Sequence, residues 1–218
     1  MGKVKLPDVI PIFPLPNVVL FPGVSLPLHI FEPRYKAMVA DALAEAQIIG
    51  MVLLKPGYEA DYYGRPPAYD LGCAGRITVV EQLPDGRYNI VLNGIQRFRI
   101  LEEYNQRLYR TVQVEWLCEE SQGWGGRPLS ASRGKLLELI ADLTEPSGGH
   151  LSQLDDATLV NHLCHLLPLS SEEKQGLLEA NGLAARCDWL TQLLEFHQME
   201  RQLATPGCTE DLESKIRH

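Results

Sequence analysis

The chain has 218 residues, 45% hydrophobic and 22% charged; that is enough apolar material for a sizeable core and a length that suits one large domain or two small ones. A net charge of −8 opposes nucleic-acid phosphates, and no run of about 18 apolar residues marks a membrane span. Five scattered cysteines, Cys73, Cys118, Cys164, Cys187 and Cys208, fit reduced thiols in a cytoplasmic protein rather than a disulfide framework.

The N-terminal stretch lacks an uninterrupted apolar segment, so no secretory signal is expected there. From Ile10 to Leu54 the sequence is apolar and crowded with proline. Proline cannot donate to a strand ladder, so Pro11, Pro14, Pro16, Pro22 and Pro27 predict short, offset strands. Phe21-Pro22-Gly23-Val24 fits a type II turn, with Gly23 at positive φ; it would join a strand over Val18–Phe21 to one over Val24–Ile30. Pro33 suits the first position of a helix, with Met38, Val39, Ala42 and Ala46 as its apolar stripe. Ile48–Leu54 reads as a further strand.

Residues 56–67 form a polar, aromatic loop. Ile77–Val80 then leads to Pro84-Asp85-Gly86, a hairpin signal, and Tyr88, Ile90 and Leu92 alternate on the returning strand. Asn93-Gly94 breaks the register as a bulge or turn. Phe98 and Ile100 face one side, Arg97 and Arg99 the other. Val112, Val114 and Trp116 continue the two-residue rhythm. Ten of the fifteen prolines precede position 70, whereas helical spacing prevails after position 130, so a β-rich first half precedes a helical second half. Leu136, Ile140 and Leu143 mark one helix. Leu159, Leu163, Leu166 and Leu167 mark the next, which Pro168 ends. Ser170 and Glu173 have capping-box spacing for a third, and Asn181-Gly182 stops it. A long final helix spans Leu183–Leu203, with Leu190, Leu193, Leu194 and Phe196 apolar. The tail from Thr205 is expected to be loose.

The run P-L-P-x-V-V-L-F-P-G-x-x-L-P-L-x-I-F-E-P-R-Y over Pro14–Tyr35 resembles the opening signature of the Lon protease N-terminal, substrate-binding domain family. Asp85-Gly86-Arg87, Gly94–Ile100, Leu166–Leu169 and Lys174–Glu179 resemble it too, so the likeness runs from about Ile10 to Phe196. Cys73 stands where the family pattern suggests a threonine. The motif residues Phe21, Pro22, Gly23, Phe31, Glu32, Arg34, Tyr35, Gly94, Arg97 and Phe98 are read as structural. The resemblance implies an α+β fold: a PUA-like β pseudo-barrel with one inserted helix over residues 1–118, a linker over 119–130, and a C-terminal helical bundle over 131–218.

Catalytic chemistry is not expected. A full-length Lon protease carries an ATPase and a serine–lysine peptidase, and this sequence has no G-x-x-x-x-G-K-[ST] phosphate loop. His162, Cys164 and His165 fall short of the three or four ligands zinc needs. Cys164 and His165, adjacent on a helix, point about 100° apart and do not make a nucleophile–base pair. No metal or other cofactor is expected. Glu32, Arg34 and Tyr35 read as a structural cluster in which Arg34 pairs with a carboxylate and the Tyr35 hydroxyl finds a partner; ligand recognition is the alternative. Arg97 and Arg99 read as a solvated strand face. Tyr58, Tyr62, Tyr63 and Tyr69, in or beside the loop, suit a binding surface or local packing equally.

The resemblance thus implies a non-catalytic module that binds unfolded or partly folded polypeptide, or an adaptor for a protease or chaperone partner. Neither nucleic acid nor membrane is an expected partner. The alternatives are a small-ligand protein or enzyme reusing the fold, and an RNA-binding PUA-like module, which the acidic charge disfavours.

Overall fold

The computed structural model describes residues 6–62, 64–118, 129–141 and 153–204. Its elements run β1 (Val9–Leu15), β2 (Ser25–Ile30), α1 (Pro33–Ala44), β3 (Ile48–Leu53), β4 (Leu71–Gln82), β5 (Tyr88–Tyr104) and β6 (Arg110–Leu117). Four helices follow: α2 (Leu129–Ala141), α3 (Asp156–Leu166), α4 (Ser171–Glu179) and α5 (Gly182–Ala204). The fold is mixed α+β, with one sheet of order β2-β5-β4-β3-β1-β6. Because β6 also pairs with β5, five of the six strands close into a ring and β2 hangs on its outside.

The prolines explain part of this layout. Strand β1 pairs antiparallel with β6 over Val9–Ile12 and then parallel with β3 over Ile12–Leu15. Pro11 and Pro14 therefore each sit where β1 has one strand neighbour, and their missing N–H leaves no ladder bond unmade. Pro27 lies in the outermost strand, β2. Pro33 opens α1 as expected. That helix buries Tyr35, Met38, Val39 and Ala42 and stops at Ala44, so Ala46 lies beyond it and is exposed.

Two cores flank the sheet. One gathers Ile10, Ile12, Ile48, Val52, Ala74, Phe98, Val112 and Val114, all from strands of the ring, and so fills its interior. The other runs continuously from Phe21, Ile30, Met38, Ile90 and Leu92 to Leu136, Leu159, Leu163, Leu177 and Leu190 of the helices. Helix starts follow local chemistry. Asp155 caps α3 through the Thr158 amide at 3.0 Å. Ser170 and Glu173 form the expected capping box, with bonds of 3.1 and 2.7 Å. Leu166 and Phe196 were expected inside on spacing alone, yet they are 69% and 56% exposed, because no described element packs on those sides of α3 and α5.

The type II turn is present: the Val24 amide donates to the Phe21 carbonyl at 3.2 Å and Gly23 has φ 78°. Val18–Phe21, however, forms no strand. Its side chains Val19, Leu20 and Phe21 are buried, and the backbone is held at the turn. There the Gly23 amide donates to the Gly94 carbonyl, and the Gly94 amide to the Val24 carbonyl, both at 2.8 Å. A Cβ on Gly94 would collide with the Phe21 carbonyl. The break expected at Asn93-Gly94 is a bulge: Ala74 faces Gln96 and Gly75 faces Gly94, leaving Ile95 extra. Leu83–Arg87 closes the expected hairpin, with Gly86 at φ 78°.

Polar bonds cross the boundary between sheet and helices. Arg97 is 4% exposed and its Nη1 donates to the Leu178 and Ala180 carbonyls, each at 2.8 Å. This corrects the expectation of a solvated strand face. Strand β5 is covered on both sides here, by the ring interior around Phe98 and by the end of α4. Arg99, two residues on, is exposed and pairs with Glu115 at 3.6 Å. Gln175 Nε2 donates to the Leu71 carbonyl at 2.9 Å, and Asn161 Nδ2 to the Pro22 carbonyl at 3.0 Å. Arg186, fully buried, donates to Asn161 Oδ1 at 2.7 Å and the Leu177 carbonyl at 3.0 Å.

Most of the expected linker (residues 119–128), Leu143, Tyr63 and the tail with Cys208 lie outside the described residues. Among the described residues no helix is long and apolar enough to cross a membrane.

This packing makes the turn and the buried arginine sensitive to substitution. Gly23→Val is expected to cost roughly 1–3 kcal/mol, the scale of a backbone outlier, with Gly94→Ala at least as costly; unchanged urea midpoints would refute both. Arg97→Ala leaves the Leu178 carbonyl without its donor, while the Ala180 carbonyl keeps the Gly182 amide, and should cost about 1–3 kcal/mol, read as a lowered midpoint for sheet and helix signals together.

Candidate functional site

Two concavities stand out on the surface. The first is an open groove on the outward face of β2, β5 and β4. The register places Pro27 opposite Val91 and Val91 opposite Val79, an apolar row across three strands. The period of two turns Leu26, Leu92 and Ile77 inward to the core and leaves this row to solvent. The next row is polar: His29, Asn89 and Glu81. Asn89 Nδ2 donates to Glu81 Oε2 at 2.7 Å and His29 Nδ1 donates to Asn89 Oδ1 at 2.7 Å. Arg87 Nη1 reaches His29 Nε2 at 3.2 Å. The groove has a volume of about 340 Å³, with Leu28 and Ile90 completing its lining. Phe31 stands beside it, 60% exposed, its ring 6.2 Å from His29. Val79 is 55% exposed. Phe31 therefore does not pack inside, unlike Phe21 and Phe98.

The second is a cleft of about 40 Å³ where the N-terminal end of α1 meets the loop before β4 and the start of β6; Arg34, Tyr35, Tyr62, Arg65, Tyr109 and Arg110 line it. Arg34 Nε donates to Glu32 Oε2 at 3.0 Å, and its guanidinium lies 4.6 Å from the Tyr35 ring centre. Tyr35 packs against Phe13 with ring centres 4.2 Å apart. The expected ion pair and ring packing are both present. The expected partner for the Tyr35 hydroxyl is absent among the described residues. Glu103 takes Arg110 through Nε at 2.8 Å and Nη2 at 2.5 Å, and Arg65 through Nη1 at 2.9 Å. Burial pushes the Glu103 carboxyl up, but the bonds from Arg110 and Arg65 outweigh it and hold it below the ordinary value.

The described loop tyrosines, Tyr58, Tyr62 and Tyr69, do not form one platform. Tyr62 enters the cleft, and Tyr58 lies 6.2 Å from it, ring to ring. Tyr69 packs on the outer core, with Lys55 Nζ 5.8 Å from its ring. Cys164 and Cys187 are buried, and burial pushes their thiols up to about 12 and about 11, where no thiolate is available at neutral pH. His162 Nδ1 binds the Thr158 carbonyl at 2.8 Å. Among the described residues no three His, Cys, Asp or Glu gather as a metal site. The groove was missed from sequence because Val79 and Val91 alternate as in any strand. Glu103, Arg65 and Arg110 were missed because only folding brings the loop to β5 and β6.

Residues 9–195 match the family described as ATP-dependent protease La (LON) substrate-binding domain, and the chain belongs to that family. Over 225 residues it is 30% identical to a Lon protease of Flavobacterium johnsoniae, covering 100% of this chain and 27% of that protein. Over 201 residues it is 30% identical to Lon protease 2 of Myxococcus xanthus, covering 89% and 24%. The chain thus spans about a quarter of the length of the curated relatives it matches. Its fold is similar to the N-terminal domain of Mycobacterium avium complex Lon protease, with TM-score 0.68 at 18% identity, covering 87% of this chain and 99% of that one. It is also similar to a Lon N-terminal domain protein from Xanthomonas campestris, with TM-score 0.59 at 24% identity, covering 86% and 97%.

Because Glu103 titrates lower in the folded state, its stabilisation is full above the ordinary carboxylate pKa and is lost as pH falls through the lower folded value. Glu103→Gln is expected to flatten part of the acid-side loss of melting temperature as pH falls below the ordinary carboxylate value; an unchanged profile would show that the cluster contributes nothing to it.

Proposed function

We propose that the protein is a non-catalytic module that binds non-native polypeptide, with the groove over β2, β5 and β4 as its contact surface. The observation that carries this reading is the groove's character. It is open, its floor is the row Pro27–Val91–Val79, and no described helix lies over it. Apolar surface of this kind in a soluble fold marks an interaction site. A shallow apolar trough suits the side chains of an extended segment, whereas a small-molecule enzyme needs an enclosed pocket with converging polar groups. Glu81 on the groove, together with a net charge of −8, weighs against RNA.

Family membership supports the same reading, since the family is described by substrate binding. In this reading residues 1–118 form the PUA-like pseudo-barrel, 119–130 the linker, and 131–218 a helical bundle packed on the barrel. The fate of a bound client belongs to a protease or chaperone, for which the protein serves as adaptor.

Affinity here comes from apolar burial, at ~25 cal/mol per Å² before the ordering cost of a flexible ligand. Labelled, reduced and unfolded casein is expected to bind with a dissociation constant on the order of micromolar and with little change on raising salt. Val79→Glu places a charge on the groove floor at an exposed position and should weaken binding about tenfold, by loss of apolar contact of about 1.4 kcal/mol. Replacing Tyr62 and Tyr63 by Ala tests the loop: weaker binding would add it to the surface, and intact binding would leave the groove alone. Full affinity in Val79→Glu, or no binding at high micromolar concentration, would overturn the proposal.

A further inference from the structure

The cleft beside α1 holds donors that the protein does not use. Tyr35 is 6% exposed and lines the cleft, yet its hydroxyl has no hydrogen-bond partner among the described residues. The ring is buried while the hydroxyl itself opens to the cleft, where a ligand oxygen can take the place of water. Arg34 commits only its Nε, to Glu32; its two terminal nitrogens have no acceptor among the described residues. Arg110 is fully engaged by Glu103 and by the Pro66 carbonyl at 2.9 Å, so it acts as a fixed charge. Three guanidiniums, of Arg34, Arg65 and Arg110, thus sit among three carboxylates, Glu32, Glu103 and Asp61, whose Oδ2 accepts from the Arg65 amide at 3.1 Å. Charge is balanced locally, and what the cleft offers is the unused donors of Arg34 and Tyr35.

Size narrows the ligand. A water needs about 10–15 Å³ of such space, so the cleft, at about 40 Å³, accepts a group of about three heavy atoms. A carboxylate fits, while a base or sugar does not.

We propose that this cleft binds a carboxylate presented by a polypeptide, which accepts hydrogen bonds from the Tyr35 hydroxyl and the terminal nitrogens of Arg34. A planar carboxylate matches the fork of a guanidinium. Burial pushes the Tyr35 phenol up to about 12, so it remains a donor at neutral pH. Two sources carry this chemistry, the free C-terminus of a polypeptide and an Asp or Glu side chain. The choice of a polypeptide as carrier rests on the proposed function; the carboxylate chemistry does not, and it uses none of the groove's residues.

The test is a titration followed by two-dimensional amide NMR with four probes: acetyl-Gly-Gly-Ala with a free C-terminus, the same peptide amidated, acetyl-Gly-Glu-Gly-amide, and inorganic phosphate. Saturable shifts around Tyr35 and Arg110 are expected with the free C-terminus, the Glu side chain or both, and not with the amidated tripeptide. Which of the two acidic peptides binds more tightly identifies the source. Tyr35→Phe keeps the packed ring and Arg34→Gln keeps the stem; each should raise the dissociation constant about tenfold without shifting the melting temperature by more than a few degrees. Equal binding of the amidated peptide, phosphate binding tighter than either acidic peptide, no shift with any probe, or undiminished binding by Tyr35→Phe would each overturn the proposal. Casein binding that survives Tyr35→Phe and fails in Val79→Glu would separate the two sites.

Discussion

A helix ends with carbonyls that nothing inside the helix can satisfy. At the end of α4 the Leu178 carbonyl would be buried without a donor if Arg97 did not reach it across the sheet, and Arg97 gives the Ala180 carbonyl a second bond beside the one from the Gly182 amide. The cost of an unmet buried carbonyl makes this contact a constraint on everything around it. It fixes where α4 lands on β5. Gln175 of the same helix then meets the Leu71 carbonyl on β4. Arg186 on α5 completes the set by holding both the Leu177 carbonyl and Asn161, and Asn161 grips the turn at Pro22. Directional bonds set the register of helices on sheet, and the shared apolar core supplies most of the energy.

The turn at Pro22-Gly23 is the other end of that series of contacts. It is anchored to Gly94 by two backbone bonds and to α3 by Asn161. The segment before it, Val18–Phe21, has no strand partners, with Val19, Leu20 and Phe21 buried, and Arg186 sits 6.0 Å from the Phe21 ring centre. An apolar run that reads as a strand is here a strut between sheet and helices.

This contrast shows which features the sequence carries openly. The Pro22-Gly23 turn, the Asp85-Gly86 hairpin, the Pro33 helix start and the Ser170–Glu173 box are each set by residues within four positions of one another, so their chemistry is visible in a short window. Arg97 is different. Its strand alternation is as expected, but the face it occupies is closed by α4, about 80 positions later, and no local pattern announces that. Leu166 and Phe196 fail in the opposite sense: their spacing is helical and apolar, but whether a face is buried depends on the neighbour it meets. The cleft was half legible. Glu32, Arg34 and Tyr35 stood out as a cluster, and the Tyr35 hydroxyl without a partner became visible only once the loop, β5 and β6 closed round it.

The groove raises a question that the edge of the sheet answers. Strand β2 is outermost, and an open edge beside apolar surface invites another strand to add. Pro27 stands in the middle of β2 and offers no N–H to such a strand. Backbone pairing along this edge is therefore interrupted, and contact with an extended polypeptide falls to side chains on the groove floor. Main-chain pairing would impose a register, whereas apolar burial does not distinguish one hydrophobic segment from another. An exposed row of Pro27, Val91 and Val79 with a proline-blunted edge is thus suited to loose, sequence-tolerant binding, and it resists the edge-to-edge association that the same row on an unbroken strand would promote.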